Sequence, residues 1–129
     1  MRDIESRQDI DEVLRAFYVR AMADDTIGYL FTEVAKLDLE EHLPVIGDFW
    51  DSVVFGTGIY QRHGRYPMAI HLDLNRKSRM TRVHFERWLE IFQTTVNESF
   101  AGPRAKDMVL RAQAIAARFL TGISMQENP

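Results

Sequence analysis

Apolar residues recur along this chain at helical spacing. Ile10, Val13, Leu14, Phe17, Tyr18 and Ala21 fall at i, i+3, i+4, i+7, i+8 and i+11 and predict an amphipathic helix that ends before Asp24-Asp25. Ile27-Gly28-Tyr29-Leu30-Phe31 is too short for another helix and reads as a tight corner that turns Leu30 and Phe31 into the core. Asp38 followed by Glu41 has the pattern of a capping box, and Leu39, Leu43, Ile46, Phe49, Trp50, Val53 and Val54 continue it as a second stripe. Pro44 lacks a backbone N–H, so regular helix is expected to begin near His42 or to kink there. Gly56 to Gly64 is a connector, and Pro67 suits the first position of a short helix running to about Leu74. After the basic stretch from Asn75 to Met80, Thr81 is placed to cap a helix with the stripe Phe85, Trp88, Leu89, Phe92 and Val96. Gly102-Pro103 marks the next boundary. The last helix carries Val109, Ala112, Ile115, Ala116, Phe119 and Leu120, with Gly122 as its expected stop. No segment reads as a strand or a repeat. The first few residues and the tail Gln126-Glu127-Asn128-Pro129 are expected to be loose.

With 129 residues, 46% of them hydrophobic, the expectation is one domain over 1–129 with its core in about 10–123. Sixteen basic against nineteen acidic residues give a net charge of −3, which offers no footprint for nucleic acid or an anionic membrane. There is no cysteine, so disulfides, thiolate metal sites, thiol nucleophiles and thioether attachment of a cofactor are excluded. The charged start Met1-Arg2-Asp3-Ile4-Glu5-Ser6 lacks a secretory apolar run, and no stretch is long and apolar enough to span a bilayer. A soluble, cytoplasmic protein is the expectation. Glu-x-x-His pairs, which a di-iron carboxylate bundle would need, do not occur.

Several separated residues recur together in one known pattern. Phe17-Tyr18, Phe31, His42-Leu43-Pro44 with Phe49-Trp50, Gly56-Thr57-Gly58 with Tyr60, and Pro67-Met68 with His71-Leu72 are followed by Phe85 with Arg87-Trp88-Leu89 and by Arg111-Ala112 with Ile115-Ala116. In this order the chain resembles the group III truncated haemoglobins of the globin superfamily, over residues 10 to 123. The resemblance implies an all-α fold, a two-on-two helical sandwich around haem b (iron protoporphyrin IX), with His71 as the proximal iron ligand. It also implies that Tyr18, Phe31, His42, Ile46 and Trp88 line the pocket, with dioxygen, nitric oxide and carbon monoxide as ligands. This chain departs from the family in two longer segments, within Gln61 to Tyr66 and between Leu74 and Phe85, both flanking the helix of His71.

The residues carry a reading of their own. A macrocycle is a large apolar disc and needs opposed apolar walls, which the stripes around Phe49-Trp50 and Phe85-Trp88-Phe92 can form; the same stripes also serve ordinary helix packing. His71, three residues after Met68 and three before Leu74, falls in an apolar surround. There it is either an axial nitrogen donor that leaves the opposite iron position open or a core histidine with satisfied nitrogens. Tyr18 and Trp88 carry the O–H and N–H that could stabilise a partly anionic bound ligand. His42 could bond the ligand, gate access, ligate iron or face solvent, and Ile46, one turn on, would limit ligand size. Arg76, Lys77, Arg79 and Arg82, with Arg65 and Tyr66 in the connector, are candidates for the haem carboxylates or are simply exposed; His63 and His84 are expected at the surface. The tasks open to such a protein are dioxygen binding or transport, nitric oxide dioxygenation or peroxide reduction with an external electron donor, and gas sensing, in a monomer or weak dimer. A helical interaction module without haem is the alternative.

Overall fold

The computed structural model describes residues 1–127. They form α1 (Arg7–Met22), α2 (Leu39–Phe55), α3 (Pro67–Lys77), α4 (Arg82–Ser99) and α5 (Pro103–Glu127), with a π-helical turn over Leu30–Val34 and a 3₁₀ turn over Ile59–His63. No strand occurs among the described residues. Helix α1 packs on α2 and α4, and α5 packs on α4, α2 and α3. The two pairs α1–α2 and α4–α5 lie on one another, the all-helical two-on-two arrangement expected. Their shared core takes Val13, Leu14 and Phe17 from α1, Trp50 from α2, Phe92 and Val96 from α4, and Met108 and Ala112 from α5. Fully buried side chains the size of Phe17 and Phe92 each stabilise the fold by roughly 1.5–3 kcal/mol.

Local chemistry sets most element ends. Ser6 caps α1 through Asp9 N, and Asp38 caps α2 through Glu41 N, as its sequence pattern predicts. At the corner after α1, Asp24 Oδ2 accepts from the N–H groups of Thr26 and Ile27 while Arg87 Nε reaches Oδ1 at 2.8 Å. Gly28 is required there, because a Cβ would stand 2.6 Å from the Met22 carbonyl oxygen. Gly56, at φ +67°, ends α2 in the left-handed conformation.

Several expectations are corrected. Helix α2 begins at Leu39, not near His42, and runs through Pro44; it gives up one intrahelical bond there, and the Pro44 carbonyl accepts from Arg7 Nη2 at 3.2 Å. Helix α3 continues past Leu74 to Lys77, and α5 does not stop at Gly122 but runs to Glu127. One residue explains both extensions. The buried Asn75 accepts from Met80 N at 2.7 Å and donates to Gln126 at 3.1 Å and Glu127 at 3.2 Å, which fastens the end of α3 to the end of α5. Gly122 makes room for Met68, whose sulfur would lie 2.6 Å from an added Cβ. Of the tail expected to be loose, Gln126 and Glu127 are thus helical and bonded, while Asn128 and Pro129 lie outside the described residues. The first residues are held as well. Ile4 is fully buried, Asp3 accepts from Arg104 N and Ala105 N at the start of α5, and Arg2 makes a two-point ion pair with the buried Asp9. Among the described residues no helix is long and apolar enough to cross a membrane.

Candidate functional site

The helix stripes leave a belt of half-buried apolar residues beside the sealed core. Phe31, Leu39, Leu43, Ile46, Phe49, Val53, Val54, Trp88, Leu89 and Ile115 all pack against the core while keeping part of their surface open. Apolar surface of this kind suits a flat apolar ligand.

Two histidines and a tyrosine border this belt. Tyr18 is 7% exposed, with its hydroxyl 3.0 Å from His42 Nε2, and its ring stands edge-on to Phe17 and Phe31. Burial raises its phenol well above the usual range, so it stays protonated and able to donate. His42, one helical turn before Ile46 on α2, is held below the ordinary histidine pKa, first by burial and then by the cation of Arg65 and the unfavourable coupling to a protonated His71.

His71 owes its setting to α3. Pro67 opens that helix with its N–H already absent, and one turn on the Pro67 carbonyl accepts a 2.8 Å bond from His71 Nδ1. The tautomer follows: Nδ1 carries the proton and Nε2 presents its lone pair. Nε2 has no hydrogen-bond partner among the described residues, and burial lowers the pKa of the ring against the opposing pull of the Pro67 bond, which keeps it neutral. The ring stacks on Phe119 of α5 at 4.1 Å and 25°, a contact that fixes its plane. Phe119 is a site residue that sequence reasoning assigned only to a stripe. Tyr60, part of the family pattern, stands edge-on to Phe49 at 5.1 Å, and burial raises its phenol against the lowering influence of Arg65.

The other expected residues divide. Trp88 is half-buried and stacks on Phe92 at 5.2 Å, edge-on to Phe17, and its indole N–H has no partner among the described residues. Phe31, Ile46, Phe49 and Met68 are half-buried, Met68 lying against Gly122. Trp50 does not line the open belt: it is 3% exposed and stacked on the far side of Phe92 at 5.1 Å, within the core. Tyr66 is 75% exposed, and Arg79, also exposed, pairs with Glu127 at 3.3 Å. His63 is exposed, with Nε2 2.8 Å from Asp48. His84, expected at the surface, is half-buried: Thr81 N donates to its Nδ1 at 2.9 Å, which completes the cap of α4, and its Nε2 meets the Tyr29 hydroxyl at 3.1 Å.

Comparison with known proteins agrees with this architecture. No protein-family model matches the chain. It is 27% identical over 117 residues to the Group 3 truncated hemoglobin ctb of Campylobacter jejuni, covering 88% of this chain and 87% of that one. The crystal structure of the group III truncated hemoglobin from Campylobacter jejuni superposes with a TM-score of 0.81 at 27% identity, covering 95% of both chains. The resemblance seen in the sequence therefore holds in sequence and fold alike.

Proposed function

We propose that this chain, a globin-type haem protein similar to the group III truncated haemoglobins, holds haem b through His71 and binds dioxygen and related diatomic ligands beside Tyr18 and Trp88. The observation that carries the reading is the unpaired Nε2 of a neutral histidine locked in plane by Pro67 and Phe119, in a fold that also holds a buried phenol donor and a set of half-buried apolar side chains. The residues present fit the group. His71 would supply one imidazole nitrogen to an iron that the porphyrin itself carries, and the half-buried apolar side chains would cover the macrocycle.

When bound, haem supplies the iron at which dioxygen, nitric oxide or carbon monoxide is held. The chain supplies the rest. The Pro67 carbonyl makes the His71 ring a better nitrogen donor by accepting its Nδ1 proton's hydrogen bond. Tyr18 Oη and Trp88 Nε1 donate to ligand atoms that gain electron density, and each such bond contributes on the order of 1–3 kcal/mol. Ile46 bounds the ligand's space, and Arg65 offers a cation to a haem carboxylate. Strong retention suits redox use of the ligand better than delivery. Detoxification of reactive nitrogen or oxygen species, with electrons from an external donor, is the role this supports.

The test is the ultraviolet-visible spectrum after haem reconstitution in ferric, reduced and carbonmonoxy forms, beside His71→Ala. A Soret band that shifts with carbon monoxide and is lost or broadened in the variant is the expected result. Absence of specific haem uptake would leave a helical interaction module. Nitric oxide consumption no faster than that of free haem would remove the detoxifying role while leaving the binding site.

A further inference from the structure

Helix α3 has two faces, and only the inner one belongs to the site. Its outer side carries Tyr66 at 75% exposure, then Ile70 at 39%, Asp73 and Lys77 at i+4, i+7 and i+11, with Arg76 alongside. Arg62 precedes this stripe and Arg82 follows it, both exposed. Residues 56–85 hold six cations against one acid, a local +5 in a chain of net charge −3, which leaves −8 on the remainder. Elsewhere arginines are mostly committed: Arg2, Arg7, Arg15, Arg20, Arg87 and Arg111 all have carboxylate partners. Arg62, Arg76 and Arg82 have no ion-pair partner among the described residues. Lys77 pairs with Asp73 one turn back at 3.4 Å. An exposed tyrosine and isoleucine in a segment with three arginines free of ion pairs has the composition of a protein-recognition patch.

We propose that the outer face of α3, with Tyr66, Ile70, Arg76 and Lys77, together with Arg62 of the preceding 3₁₀ turn and Arg82 at the start of α4, docks an acidic one-electron-transfer protein, of flavin or iron–sulfur type, that reduces the iron held by His71. This rests on the haem reading above. Charge complementarity selects the partner. A small acidic protein covers the basic patch alone, whereas a membrane or nucleic acid extends past it onto a surface of net −8 and also meets Asp73 within the stripe. Position gives the patch its use, because a donor seated on this face is separated from His71 by the width of one helix. In the step itself the donor loses one electron and the ferric iron gains it.

The test uses the haem-loaded full chain and a photoreduced acidic flavodoxin as the probe donor, with reduction followed by stopped flow across ionic strength. Wild type is expected to be reduced fast at low salt and progressively more slowly as salt screens the pairing. Arg76→Glu with Lys77→Glu should slow the low-salt rate at least tenfold. Lys106→Glu is the control, thirteen residues from Phe119, which stacks on His71, and therefore about 20 Å along α5 from that contact with α3; it should stay within about twofold of wild type. Rates that ignore salt, or equal losses in both variants, would overturn the proposal, as would tighter binding to phosphatidylserine vesicles than to flavodoxin. Amide chemical-shift changes on titrating oxidised flavodoxin read docking separately from electron transfer. Shifts confined to 62–82 support the patch even if the Soret test fails, and shifts elsewhere reject it even if haem binds.

Discussion

Tyr18→Phe tests how the phenol is used, because its hydrogen bond is already committed before any ligand arrives. The hydroxyl lies 3.0 Å from His42 Nε2, and His42 is kept neutral by burial, Arg65 and His71. A phenol is the better donor and a neutral imidazole nitrogen the better acceptor, so Tyr18 donates to His42 in the ligand-free chain. On the proposed function, a diatomic ligand would therefore take over a bond instead of adding one. Escape breaks the phenol's bond to the ligand before the bond to His42 re-forms, so the dissociation rate senses the whole interaction. At about 2 kcal/mol that is roughly thirtyfold. The equilibrium constant senses only the difference between the two bonds, about 1 kcal/mol or roughly fivefold. Tyr18→Phe is thus expected to raise the dioxygen koff far more than its Kd, with faster association making up the difference. His42→Ala should act in the opposite direction on affinity: koff hardly changes, while Kd falls about fivefold because the phenol no longer has a partner to leave. Displacement of dioxygen by carbon monoxide gives koff, and flash photolysis gives association. Equal changes in koff and Kd for Tyr18→Phe, or weaker binding by His42→Ala, would refute the exchange.

Other parts of the structure make separate predictions. Asp3→Ala removes the acceptor of two N–H groups at the start of α5, at 3.0 and 2.9 Å, and should lower stability by about 1–2 kcal/mol in urea unfolding; an unchanged midpoint would mean that the N-terminal arm does not cap this helix in solution. His42 has a depressed pKa in the fold, so below about 6.5 the unfolded chain takes up a proton that the folded chain refuses. His71, lowered by burial in the same way, adds to the effect, so stability should decline as pH falls below about 6.5, and His42→Gln should remove part of that decline. Gly47→Ala places a methyl group where the Arg7 guanidinium crosses α2 to reach Asp48, so that variant and Arg7→Ala should destabilise non-additively, which a double-mutant cycle would show.

Features set by near neighbours in the sequence were legible. The α1 stripe, the Asp38 and Thr81 caps and Pro67 at the start of α3 each depend on residues within one or two turns, and each is where its pattern puts it. The misplaced boundaries share a different cause. Gly122 ends nothing because Met68, more than fifty residues earlier, occupies the space its missing side chain leaves. Helix α3 outlasts Leu74 because Asn75 finds Gln126 and Glu127, and the first residues are fixed by the far end of α4 and the start of α5. No local propensity encodes such pairings.

The candidate site shows the same division more sharply. In the sequence, Tyr18, Trp50, Trp88 and His71 are equivalent: each is an amphipathic side chain on an apolar stripe. Burial and hydrogen bonding separate them. Trp50 is sealed behind Phe92, whereas Trp88, on the other face of the same ring, keeps an uncommitted N–H. His71 spends one nitrogen on its own helix and keeps the other free, and Tyr18 spends its proton on a partner that a ligand can displace. What would make a site of these residues is the valence that His71 and Trp88 leave uncommitted and the one that Tyr18 holds in an exchangeable bond. Such valences can be counted only after every helix end and every carbonyl has taken its partner. The chain-wide resemblance pointed to them early because a family pattern preserves the outcome of that accounting, although the accounting itself needs the folded structure.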